Sequence, residues 1–254
     1  MQLNRISYSQ INMYMRCPRQ YYHRYVLGKK EVPGVALLEG SAHHTSMQKN
    51  NLNKMAKGSE LKPKVLTEIF VEDFRTRVKK EGGTKALDWR EESEKGLIER
   101  AKVWHVDYIR DVAPKIHPVG VEEKFEKELD LDGKRITLSG ILDLEVPRLI
   151  YDYKTAAKAR TQAETDADLQ LTLYALVKKV PRVGFIQFLK KATPEVGVLQ
   201  SYRTANQKLY ALEVVREVVQ AIEAEIYPMC NPTQWNCSKR FCGFWSMCRG
   251  KYER

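Results

Sequence analysis

The chain is expected to fold as an α/β protein with a helical insertion, and three observations carry that expectation. Between Val119 and Val146 apolar and polar residues alternate as in half-buried strands. The run from Val183 to Lys190 is nearly all apolar, as in an internal strand. Helical periodicity precedes and follows these strands, giving the order helix, strands, helix, strands, helix.

Composition narrows the class. The 254 residues suffice for one large core, here taken as a single domain 1–254. Residues 45–115 are expected to form a helical insertion and 116–226 the core, the cysteines being confined to the flanking segments 1–30 and 227–254. Forty-three Lys and Arg against 32 Asp and Glu leave a formal charge of +11, which favours an anionic partner such as a polyphosphate chain. With no membrane-length apolar run and no signal-peptide core at MQLNRISYSQ, the expected place is the cytoplasm. Five cysteines in that reducing compartment point to metal binding or chemistry rather than disulfides. No G-x-x-x-x-G-K-[ST] loop occurs, so any motor or nucleotide hydrolysis is expected to come from a partner.

Taken in order, Ser7 or Ser9 caps a first helix that runs through Ile11 and Tyr14 to Tyr25. It contains C-P-R-Q-Y-Y-H-R-Y, whose tyrosines read as a buried stripe and whose arginines suit a solvated edge or phosphate. Residues Leu38–Gln48 read as a glycine turn entering a helix with the pair His43-His44, which alone suits ordinary surface as well as a ligand. Charged stretches at 49–64 and 79–96 read as loops around helices at Val65–Val78 and Leu97–Val112.

From Val119 onward, Val121, Phe125, Leu129 and Leu131 share a parity, which places Glu123 inward and Glu122 outward. A buried acid needs a partner or a metal, so Glu123 rather than Glu122 is the candidate site acid, or else a glutamate that reaches water at a strand end. Asp132-Gly133 turns the chain into the strand Lys134–Val146. The stretch Ser139–Thr155, S-G-I-L-D-L-E-V-P-R-L-I-Y-D-Y-K-T, reads as two strands joined near Pro147. Ile150, Asp152 and Lys154 share one face of the second strand, Leu149, Tyr151 and Tyr153 the other. Asp152 and Lys154, about 7 Å apart along the strand, join Asp143 across the hairpin. Two carboxylates and a lysine suit Mg²⁺ or Mn²⁺ and a water to be activated, the bland alternative being an ion pair between Asp152 and Lys154. Thr165 with Asp168 caps a helix over Leu169–Val180 that carries Gln170 and Tyr174 on one face. Strands follow at Val183–Lys190 and Glu195–Tyr202, then a helix Asn206–Ile226 expected to bury Leu209, Leu212, Val215, Val219, Ile222 and Ile226.

These pieces together resemble the PD-(D/E)XK nucleases of the RecB type, and within them the iron–sulfur exonucleases related to CRISPR-associated and phage-encoded enzymes. The likeness lies in Cys17-Pro18 with Tyr21, Gly40 with His44, Gly140 before Asp143, Asp152-Tyr153-Lys154, Gln170 with Tyr174, and Cys237, Cys242 and Cys248. It implies a restriction-endonuclease-like core, a mixed sheet flanked by helices. It further implies that His44, Asp143, Asp152 and the Tyr153 carbonyl bind Mg²⁺ or Mn²⁺, that Lys154 orients or activates water, and that Gln170 and Tyr174 steady the strand or the lysine. Hydrolysis would leave a 5′-phosphate. Cys17, Cys237, Cys242 and Cys248 would hold a 4Fe-4S cluster joining the two ends of the chain, although four thiolates bind zinc equally well by count. Four residues separate Cys237 from Cys242 where relatives commonly have two, and Cys230 is left over as a small buried hydrophobe.

The implied function is metal-dependent DNA exonuclease activity, mainly on single strands or ends, in a bacterial, archaeal or phage-infected cell and in the service of recombination, repair or CRISPR DNA processing. The alternative is a cluster-stapled scaffold that holds DNA for a helicase or integrase partner and cuts little.

Overall fold

The computed structural model describes residues 2–31 and 33–253; Met1, Val32 and Arg254, which the expected domain boundaries include, lie outside the described residues. The chain divides into two compact units. One comprises Met1–Val32, Glu126–Gly140 and Leu209–Arg254, and the other Pro33–Phe125 and Ile141–Lys208. Hydrogen bonding orders the strands β1 (Arg5–Ser7), β3 (Lys134–Val146), β4 (Leu149–Ala156), β5 (Arg182–Leu189) and β6 (Glu195–Tyr202), with β2 (Gly120–Leu131) paired to β3.

In the larger unit the end of β3 from Ile141 onward forms an antiparallel hairpin with β4, with Leu144 opposite Tyr151. Its two-residue turn needs a left-handed backbone at Arg148, φ 63°. β5 (Arg182–Leu189) runs parallel to β4 and β6 (Glu195–Tyr202) antiparallel to β5, so the sheet is mixed. β5 lies between two strands, which is why seven of its eight residues are buried. Gly184 is a glycine because a Cβ there would come 2.3 Å from the carbonyl oxygen of Leu199.

The two faces of this sheet carry separate cores. Leu144, Leu149, Tyr151, Tyr153, Ile186 and Phe188 pack with Met47, Leu66, Trp104 and Tyr108 from the helices on one side. Leu142, Ile150, Val183 and Phe185 pack with Leu171, Tyr174 and Ala175 of α7 (Leu169–Lys178) on the other. At about 25 cal/mol per Å² of apolar surface, such burial is the main stabilising contribution of the unit. The first group of helices is α3 (Val35–Lys57), α4 (Pro63–Lys80) and α5 (Glu94–Asp107), which share a core of their own around Phe70, Phe74 and Leu97. α3 runs from 35 to 57 without interruption, so the stretch from 49 expected to be loop is helical, and position 45 falls inside this helix. Its exposed polar surface hid the periodicity, while Asn50 and Asn51 are buried through hydrogen bonds to Leu61 N and the Tyr153 hydroxyl. Next to them His43 and His105 stack in the core, ring centroids 5.4 Å apart.

In the smaller unit β1 (Arg5–Ser7) pairs in parallel with β3, and Ser7 with Gln10 forms a capping box that starts α1 (Tyr8–Arg16). The expected single helix to Tyr25 is broken. Cys17 is extended and Pro18 starts a new turn, α2 (Pro18–Tyr21), followed by a π-helical turn Tyr22–Val26. Asp132 and Gly133 form the hairpin turn with φ 56° and 85°, as expected for Asp-Gly. α8 (Ala205–Glu223) buries Ala211, Val214, Val215, Val218, Val219 and Ile222. Leu209 and Ile226, expected inward, are exposed, because the valine pairs set a face offset from the one assumed. Between α1 and α8 in sequence, β2 (Gly120–Leu131), β3, β4, α6 (Gln162–Asp166), α7 and β5–β6 complete the chain.

Candidate active site

The site grows from irregularities in two strands. On β2, Val121 packs toward the α3–α5 side of the sheet and Phe125 toward α7, although equal parity should put them on one face. The cause is Glu122, whose φ of 51° interrupts the alternation. β3 changes face as well: Leu142 points to the α7 core, Leu144 to the other, and Asp143 lies at the change. Both slips aim an acid at His44 of α3.

His44 Nδ1 lies 3.5 Å from Asp143 Oδ1 and 3.9 Å from Glu122 Oε1. His44, Glu122 and Asp143 each offer one ligand atom, all within 4.8 Å of one another, a spacing suited to a hard cation. Asp143 is held by the backbone: its Oδ2 accepts the Tyr153 N–H at 2.8 Å. On its other side the ring is held by the backbone, His44 Nε2 lying 3.1 Å from the Tyr153 carbonyl oxygen. Burial works against charge on His44, yet Asp143 and Glu122 outweigh it and push its pKa up to about 10. A proton there plays the part that a cation would take.

Asp152 sits beside this group. Its Oδ1 accepts from Gln170 Nε2 at 2.9 Å, while Oδ2 faces the Lys154 ammonium at 2.7 Å. Burial raises its pKa to about 6, against the opposing pull of Lys154. A buried carboxylate beside three further ligand groups fits a divalent ion. The ion pair between Asp152 and Lys154 does exist, but Asp152 is buried rather than on the surface. Gln170 uses both ends of its amide: Oε1 accepts from Lys154 Nζ at 2.9 Å, and Nε2 also donates to the Tyr174 hydroxyl, which donates to the Ile141 carbonyl.

Glu123, the acid expected inside, is not in the site. Its carboxylate pairs with Lys178 at 2.7 Å and is partly exposed, so the parity argument chose the wrong neighbour once Glu122 broke the alternation. Glu122, expected outside, takes the place. Two adjacent acids at a strand entry were the available signal; the left-handed residue between faces was not legible. α3 meets β4 at three points along one face: Gly40 against Thr155, His44 at the Tyr153 carbonyl, and Asn51 Nδ2 donating to the Tyr153 hydroxyl at 2.8 Å.

The cysteines form a second constellation in the smaller unit. Cys17, Cys237, Cys242 and Cys248 line one cavity of about 190 Å³, and Cys230 lines it too. Cys230, expected to be a spare buried hydrophobe, is half-buried beside the others; burial first, then the Cys17 and Cys237 thiols, push its pKa up to about 12, which keeps it a neutral thiol. Pro18 makes the convergence, since the helix break aims Cys17 inward.

The model of the PD-(D/E)XK nuclease superfamily matches residues 5–249. The chain belongs to the PD-(D/E)XK nuclease superfamily. Its members use divalent metals, and nucleic acid cleavage is the family's chemistry. Among solved structures, a candidate exonuclease from Eubacterium rectale is similar over 92% of this chain and 87% of its own, with a TM-score of 0.59 and 14% identity, which supports the fold. The protein SSO0001 aligns over 99% of this chain and 88% of its own, at 9% identity and a TM-score of 0.49. No curated protein matches in sequence. No described helix is long and apolar enough to cross a membrane.

Proposed function

We propose that the chain is a divalent-metal-dependent DNA exonuclease of the RecB-like iron–sulfur kind, acting mainly on single strands and DNA ends. The observation that carries this reading is the convergence of His44, Glu122 and Asp143 beside the buried Asp152 and its partner Lys154. A Mg²⁺ or Mn²⁺ ion held there would neutralise the phosphodiester and acidify a water. The chain's own residues do the rest. Asp143, fixed by the Tyr153 N–H, and Asp152, fixed by Gln170, supply the negative cradle. Lys154 places a fixed positive charge beside the attacking water and the non-bridging oxygens as charge develops there. Gln170 and Tyr174 hold that lysine in place. Hydrolysis adds water across one P–O bond, leaving a 5′-phosphate and a 3′-hydroxyl.

For the second constellation, we assign Cys17, Cys237, Cys242 and Cys248 to a 4Fe-4S cluster, with zinc as the competing occupant. The convergent thiols around one cavity support a soft metal.

The deciding experiment incubates 5′- and 3′-end-labelled linear DNA, single- and double-stranded, with Mn²⁺ or Mg²⁺ and with chelator, alongside circular single strands. Metal-dependent loss of linear but not circular single strands is expected. DNA binding without metal-dependent degradation would replace the exonuclease by a scaffold serving a helicase or integrase.

A further inference from the structure

The C-terminal knuckle carries a feature that holding a metal does not require. Trp235 is two-thirds exposed, 66%, on a turn-rich segment rather than tucked over the cysteines. Phe241 meets it edge to face, ring centroids 5.3 Å apart, and is itself 42% exposed. Arg240 lies over Phe241 at 5.5 Å, and Lys251 lies over Tyr252, which is 69% exposed, at 4.8 Å. Leaving an indole and two further rings in water forgoes burial worth keeping elsewhere in a chain of this size.

We propose that this surface is a stacking platform for single-stranded DNA, with bases on Trp235 and Phe241 and phosphates on Lys239, Arg240 and Lys251; the proposal rests on the nuclease reading above. Charge decides the occupant. From Asn231 to Glu253 the sequence has four Lys and Arg against the single acid Glu253. Every base has a π-face, so aromatic rings interleaved with cations take a strand of any sequence. The rings are also held ready. Asn231 Oδ1 accepts from the Thr233 N–H at 3.0 Å, Cys237 N donates to the Gln234 carbonyl, and the Ser238 hydroxyl donates to the Trp235 carbonyl, so little conformational freedom is lost on binding. Arg249 Nη1 donates to the carbonyls of Pro232 and Cys237, which ties the turn bearing Lys251 and Tyr252 to the segment bearing Trp235. A duplex hides its base faces and would gain nothing from the rings.

The test uses the full chain with its cysteine-bound metal. Anisotropy of labelled dT₂₀, of an abasic strand of equal length and of a duplex is measured without divalent ion, for wild type, Trp235→Ala, Trp235→Phe and Phe241→Ala. Hydrolysis of a small chromogenic phosphodiester with Mn²⁺ and the melting temperature are read in parallel. Trp235→Ala should weaken dT₂₀ binding at least about five-fold, with abasic and duplex binding unchanged and Trp235→Phe largely restoring it. Arg240→Ala should lower the salt slope of dT₂₀ binding by about 0.7. Wild-type dT₂₀ affinity in both ring-to-alanine variants, or an equal loss for the duplex, overturns the platform. Should the wild type leave the small diester intact, the nuclease reading fails, whereas intact diester hydrolysis with unchanged Trp235→Ala binding removes the platform alone.

Discussion

The backbone N–H of Tyr153 donates to the carboxylate of Asp143 at 2.8 Å, so one strand of the hairpin aims the acid of the other. That bond leaves Oδ1 toward His44 and lets neither strand shift without moving the donor set.

Asp152→Ala and Lys154→Ala should each reduce metal-dependent cleavage by at least about 10²-fold while DNA affinity and melting temperature stay near wild type. Gln170→Ala, which releases both side chains, should cost about 10- to 100-fold, as expected for a group that orients others. Single-turnover rates with saturating enzyme check all three. Full activity in Lys154→Ala would take the lysine out of the reaction.

Glu122→Gln should weaken Mn²⁺ binding, read by calorimetry, by ten-fold or more, because it removes one charged member of the donor set. Glu123→Gln should leave metal binding untouched and lower stability by less than about 1 kcal/mol, since its partly exposed pair with Lys178 contributes little. Equal effects would contradict the face change at Glu122.

Cys17 and Cys237 stand 220 positions apart in the sequence and line the same cavity. A metal shared between them closes a loop whose entropy restricts the unfolded chain by roughly 5 kcal/mol, an upper figure because thiols of an unfolded chain also bind metal. Cys17→Ser should therefore be metal-depleted and poorly stable although the acids of the other unit are intact. Anaerobically purified wild type should be brown, with about four iron and four sulfide per chain. One zinc and no sulfide would change the occupant; wild-type stability in Cys17→Ser would remove the clasp.

His105 should make the protein acid-sensitive. Burial lowers its pKa from 6.5 to about 3, and the stacked His43 is lowered as well. Between those values the unfolded chain binds a proton that the folded chain refuses. Stability is complete above about pH 6.5 and falls as pH drops toward 3, by up to about 1.4 kcal/mol per pH unit for His105 alone. Urea unfolding at pH 7 and pH 5 measures the slope. His105→Leu should flatten it, since Thr67 keeps a bond to the Pro63 carbonyl. An unchanged slope would mean that His105 plays no part.

Where chemistry and local geometry coincide, the residues were legible. Asp132-Gly133 announced its turn, the alternation of Leu149 to Lys154 put Asp152 and Lys154 on one side, and Gln170 and Tyr174 fell one helical turn apart as read. The errors arise where one residue departs from its neighbours' conformation. Glu122 adopts a left-handed backbone that no glycine advertises, and the parity count then carried Glu123 inward. Cys17 is extended between two helical turns, which Pro18 should have announced. Cys230 lacks a neighbouring cysteine in sequence, and only the folded chain brings it to the others.

The three contacts of α3 with β4, at positions 40, 44 and 51, have a consequence for insertions and deletions. Each added residue in a helix turns everything beyond it by about 100° and advances it about 1.5 Å. One residue inserted between Gly40 and His44 would swing His44 off the acids while leaving Gly40 seated on Thr155, and one between His44 and Asn51 would unseat Asn51 from Tyr153 instead. Length variation should therefore be tolerated in the turn between Lys57 and Pro63 and be absent from the twelve positions 40–51 among active relatives, a pattern of gaps rather than of residue identity.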